Sequence, residues 1–119
     1  MKPIVIIESP YAGNVELNTR YARLALRDSL MRDEAPFASH LLYTQDKVLD
    51  DTVPEQRTRG IEAGLEFTRV ADRVAVYCDL GVSEGMKIGI DRHEKNGTPI
   101  EMRFIPDFNI FSIMDAGND

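Results

Sequence analysis

The chain has 119 residues, 43% hydrophobic and 29% charged, which suffices for one domain with one core and is too little for two. A formal net charge of -6 and a sequence pI of about 4.9 argue against binding of a nucleic-acid polymer, yet leave room for a local pocket that takes one nucleotide. The single cysteine, Cys78, excludes an intrachain disulfide and fits a reducing, cytoplasmic compartment, and the apolar run Ile4 to Ile7 is too short for a signal-peptide core or a membrane span.

Pro3 to Glu8, PIVIIE, is β-branched and almost continuously apolar, the pattern of a central parallel strand covered on both faces. Ser9-Pro10-Tyr11-Ala12-Gly13-Asn14 breaks it: Pro10 cannot continue a ladder, Gly13 permits a tight turn, and Asn14 is a good N-cap. A helix is expected from Val15 to about Arg32, with Leu17, Tyr21, Leu24 and Met31 on one stripe. Arg20, Arg23 and Arg27 form a second, solvated row, from which Arg20 stands apart because it is nearest the preceding loop. Phe37 to Tyr43 reads as a short second strand and an irregular turn, followed by a polar surface loop through Val53. Thr52-Val53-Pro54-Glu55 matches a capping box and opens a helix to about Val70, with Ile61, Leu65 and Thr68 on a core stripe. Arg73 to Cys78, RVAVYC, is a third strand, and Asp79 to Ser83 its following loop. Ser83 caps a helix from Glu84 to about Lys95, closed by Asn96-Gly97. Thr98 to Ile105 alternates as a fourth strand, and the tail beyond it is too apolar to hang free.

This order predicts a doubly wound α/β domain, flavodoxin- or Rossmann-like, with an open, mostly parallel sheet of four to five strands and helices on both faces. Residues 1–105 form the domain, and 106–119 an apolar extension that adds an edge strand, packs on the core or docks on a partner subunit. The first and third strands become central neighbours, so the loops Ser9 to Asn14 and Asp79 to Ser83 meet at the topological switch point, where open sheets hold ligands.

Two helix N-termini at one crevice suit phosphate or carboxylate, although neither loop carries a GxGxxG or P-loop pattern. Asp79 and Glu84 are the candidate catalytic carboxylates, since a carboxylate can hold sugar hydroxyls, attack an anomeric carbon or act as general acid and base. Glu8 is a third acid there, or equally a salt-bridge partner. The ligand-binding candidates are Ser9, Pro10, Gly13, Asn14, Gly81 and Ser83, with Tyr11 able to stack on a base and His40 brought in from the second strand. Cys78 has no base partner and reads as a small buried hydrophobe. His93 reads as exposed, and two distant histidines have no zinc spacing, so neither metal nor cofactor is expected.

These residues resemble the nucleoside 2-deoxyribosyltransferase-like superfamily, in particular its short phage and bacterial members. The resemblance rests on Ser9-Pro10-Tyr11 after the first strand, the segment from Ala35 to Tyr43, Ala71-Asp72-Arg73-Val74, and Asp79 to Ser83 with Gly85-Met86 and Gly89. It implies a nucleoside or nucleotide ligand, N-glycosidic hydrolase or transferase chemistry, and a homodimer or higher homo-oligomer. In the characterised transferases a nucleophilic glutamate follows Gly-Met, but here Lys87 follows Gly85-Met86. A lysine cannot form the glycosyl ester, although it suits an anionic ligand such as a nucleotide phosphate. Three readings stay open: an enzyme using Glu84 or Asp79, a non-catalytic binder that senses or sequesters a nucleotide-derived molecule, and a protein-interaction module.

Overall fold

The protein is described by a computed structural model covering residues 1–114. Four strands, β1 (Ile4–Glu8), β2 (Ala35–Phe37), β3 (Arg73–Tyr77) and β4 (Ile100–Arg103), form one all-parallel sheet in the order β2-β1-β3-β4. β1 and β3 are the central pair, with Glu8 opposite Val76. That is the doubly wound α/β arrangement, and it sets the loops after β1 and β3 side by side.

Strand parity divides the core. Val5, Ile7, Ala75 and Tyr77 point to one face, where α1 (Val15–Met31) packs through Tyr21 and Ala25. Ile6, Val74 and Val76 point to the other, where α4 (Glu84–Lys95) packs through Met86 and Ile90. α3 (Pro54–Glu66), extended by a 3-10 turn at Phe67–Arg69, lies on the α4 side, where Phe67 stacks on Phe37 of β2 at 4.0 Å between ring centroids. Both long loop-to-helix transitions are capped by side chains: Asn14 accepts from Leu17 N at 3.2 Å and Ser83 from Met86 N at 3.2 Å.

Three local expectations are corrected. The second strand starts two residues earlier than Phe37 and is short. Ala35 N reaches Pro3 O at 2.8 Å, and Ser39–Leu42 then coils as α2, with Tyr43 N on Ser39 O at 2.9 Å. His40 therefore sits on a helix rather than a strand. The capping box at Thr52 does not form: Val53 is the N-cap of α3, and Thr52 turns its hydroxyl to Asp50. His93, expected on the surface, is only 2% exposed.

The segment after β4 folds back over α1. Phe108 meets Tyr21 edge-to-face at 5.3 Å, and α5 (Phe111–Met114) buries Ile113 in the α1-side core. Arg20, which also pairs with Glu16, donates to Ile113 O at 3.0 Å, so it holds α5 rather than facing the β1 loop. The expectation for the tail also takes in 115–119, which lie outside the described residues. Among the described residues no helix is long and apolar enough to cross a membrane.

Candidate functional site

A cavity of about 370 Å³ opens on the α4 side of the sheet, within the usual range for small-molecule sites. Its floor is Ile6 and Glu8 of β1 and Met86 of α4. One wall is the α3 row Arg57, Ile61, Gly64 and Leu65; the other is the α4 row Gly85, Ile88, Gly89, Arg92 and His93. Both rows follow the three-to-four-residue spacing of one helix face. The apolar stripe of α3 read as core thus faces the cavity, and Ile61 stays 40% exposed. Ser9, Tyr11, His40 and Ser83 close the loop end.

Glu8 is the carboxylate on that floor. Its parity follows Ile6, so it turns toward α4, and its side chain is 22% exposed. His93 Nε2 lies 3.0 Å from Glu8 Oε1, and because a carboxylate only accepts, Nε2 carries the proton. Thr68 Oγ1 sits 3.5 Å from the other ring nitrogen. Gly89 faces the same carboxylate so closely that a Cβ there would stand 3.0 Å from Oε1 and 3.1 Å from Oε2. Oε2 makes no hydrogen bond among the described residues, which leaves one oxygen to the cavity.

Ser9 and His40 form a second polar pair, with Oγ and Nε2 2.7 Å apart. Burial holds the His40 imidazole below its ordinary pKa, against the opposing pull of Glu8 and Asp51, so the ring is neutral near pH 7. Tyr11 meets the His40 ring edge-to-face at 6.4 Å.

Of the other residues expected at the site, only Glu84 lines the cavity. Asp79 continues the parity of Tyr77 toward α1, where its Oδ2 accepts from Tyr21 OH at 2.6 Å and Ile105 N at 3.0 Å. It ties α1 to the end of β4 and does not line the cavity; burial together with this bond pushes the Tyr21 hydroxyl pKa strongly up. Lys87 points out of the cavity and pairs with Glu84 at 3.1 Å. Glu84 does line the mouth, with its side chain 88% exposed. Pro10 is buried behind the loop, Asn14 is occupied as a cap, and Gly81 serves a positive-φ turn. Gly13, also at positive φ, borders a wider, more open depression of about 1030 Å³ over the 44–57 loop. That depression is lined by exposed acids such as Asp46 and Asp50 and has no buried ionisable group.

Sequence reading gives Arg57 and Arg92 no role, reads His93 as exposed, and uses Gly89 only as part of the family resemblance. The available signal was the row Gly85, Gly89, His93 at four-residue spacing, which marks one face of α4 built for close approach. Cys78 has its thiol pKa raised by burial, in keeping with a packing role. Among the described residues no three His, Cys, Asp or Glu side chains cluster as metal ligands do.

The model of the domain of unknown function DUF7768 matches residues 3–103. The chain belongs to this family. No curated protein matches it in sequence. Among solved structures, the chain is similar to the 2-deoxyribosyltransferase of the psychrotolerant bacterium Bacillus psychrosaccharolyticus. The TM-score is 0.66 at 16% identity, covering 95% of this chain and 81% of that one. At that identity the likeness is one of fold. The chain thus shares the α/β fold of that protein, with its cavity at the strand ends where open α/β sheets hold ligands.

Proposed function

We propose that the cavity binds a nucleoside or nucleotide and that Glu8 is the carboxylate presented to its sugar. The observation that carries this reading is the half-buried Glu8 on the cavity floor, fixed through Oε1 by His93 and free at Oε2. Asp79 is committed to Tyr21 and Ile105, and Glu84 stands at the solvent-exposed mouth. Glu8 therefore replaces both as the reacting carboxylate. In an N-glycosidic cleavage Oε2 bonds to C1′ as the C1′–N bond breaks, and the base departs with the electron pair and takes a proton from solvent. Water, or a second base, then attacks C1′ and frees the carboxylate. A negative group suits this step because the sugar develops positive charge.

A second reading, a binder without chemistry, is favoured by one observation: the residue after Gly85-Met86 is Lys87, turned away from the cavity. On either reading we propose a cytoplasmic homo-oligomer, for which Phe104 and Phe111, 66% and 72% exposed, offer apolar surface to a second copy. Its mass in solution checks this.

Incubation with purine and pyrimidine deoxynucleosides and their monophosphates, followed for free base, separates the readings. Base release that falls at least about a hundredfold in Glu8→Gln supports the enzyme. Ligand-dependent thermal stabilisation without base release supports the binder. Neither signal across the panel contradicts both.

A further inference from the structure

Each helical wall of the cavity carries one arginine whose side chain has no hydrogen-bond or ion-pair partner among the described residues: Arg57 in the first turn of α3 and Arg92 in the third turn of α4. Three acids line the same cavity and none pairs with either arginine: Glu8 is engaged by His93, Glu84 by Lys87, and Asp51 lies beyond ion-pair distance of both guanidinium groups. The two cations are not equivalent. Arg57 reaches across the cavity, its Nη2 3.6 Å from where a Cβ on Gly85 would stand, so the guanidinium lies over the first turn of α4 at the loop end. Arg92 is seven residues further along α4, roughly 10 Å away at 1.5 Å per residue. Between them lies the polar surface of Ser9, His40 and Glu8. A free guanidinium at the loop end of a cavity in an acidic chain presents planar, paired N–H donors to a doubly charged oxyanion.

We propose that Arg57 holds a phosphate at the Gly85 end of the cavity, so that its ligand is a nucleoside 5′-monophosphate rather than a free nucleoside. This rests on the nucleoside reading of the same cavity. It also moves the anion-binding role from Lys87, outside the cavity, to α3. The phosphate is bound and not transferred; its two negative charges meet the guanidinium, while the sugar is left to Glu8.

Calorimetric titration of the full chain tests this with three probes: a deoxynucleoside, its 5′-monophosphate, and deoxyribose 5-phosphate. Each is titrated into the native protein, Arg57→Gln and Arg59→Gln. Arg59 is exposed and does not line the cavity, so its substitution removes the same charge away from the site. The expected result is a monophosphate at least about tenfold tighter than the nucleoside, an advantage lost in Arg57→Gln and kept in Arg59→Gln. Equal affinities for nucleoside and monophosphate, or equal losses in the two variants, overturn the phosphate assignment and leave the nucleoside reading standing. Binding of deoxyribose 5-phosphate alone, lost in Arg57→Gln, keeps the phosphate site and overturns the nucleoside reading. No binding by any probe overturns both.

Discussion

Gly89 is the residue that most sharply separates fold from function. Alanine there gains roughly 0.8–1 kcal/mol of helix propensity, but its methyl would press on both oxygens of Glu8 at 3.0 and 3.1 Å. The obstructing atoms are the end of a side chain that can swing, so the helix survives and the carboxylate moves. Gly89→Ala is expected to change stability by less than about 1 kcal/mol in urea denaturation while reducing ligand affinity or base release at least about tenfold. A loss of stability with the site intact would contradict the placement of Glu8. Asp79 illustrates the opposite error. Both acids end or follow a central strand, and the sequence reading puts Asp79 ahead of Glu8. Parity separates them, because Glu8 follows Ile6 to the α4 side and Asp79 follows Tyr77 to the α1 side.

At the scale of elements, much of the fold was legible. β1 and β3 announce themselves as uninterrupted apolar runs because helices cover both their faces, and α1 and α4 through caps at Asn14 and Ser83 that the structure uses. α2 was not legible: four residues have too little propensity to be read, and tertiary contact fixes them. A Cβ on Gly64 of α3 would fall 2.7 Å from Ser39 Oγ and 2.8 Å from its Cβ, so α2 seats directly on the gap in α3. Gly64→Ala is therefore expected to destabilise by about 1–3 kcal/mol and to displace His40 from Ser9, measured as a lower urea midpoint with altered His40 ring resonances. Unchanged stability would mean that α2 is not clamped there. His93 was missed for a related reason, since its partner Glu8 is 85 residues away and no local pattern reveals the pair.

At the scale of the whole molecule, one buried ionic network braces the α1 face of the sheet, opposite the cavity. Arg103 of β4 donates to both oxygens of Glu34 at 2.8 and 2.7 Å and to Tyr77 OH at 3.2 Å, while Ser29 and Arg73 also reach Glu34. The hydrogen bonds from Arg103, outweighing the opposing effect of burial, hold the Glu34 carboxyl pKa below its ordinary 4.5. In the unfolded chain it protonates first as pH falls. The stabilisation is thus complete above about pH 4.5 and is lost as pH drops through the folded value. His40, also depressed, begins to withdraw stability below its ordinary 6.5. Two declines are expected in urea stability against pH, the lower one abolished in Glu34→Gln, which itself costs about 3 kcal/mol by leaving the buried Arg103 guanidinium with only the half-exposed Glu101 as its anionic partner. A flat profile between pH 3 and 5 would contradict the brace. The brace leaves the cavity side free to serve a ligand, and that division of labour is tested most directly by amide-resolved NMR titration of the full chain with a deoxynucleoside 5′-monophosphate. Shifts concentrated at Ser9, Tyr11, His40, Gly85 and Gly89 are the predicted result; shifts centred on the 44–50 loop, or none at millimolar ligand, would contradict it.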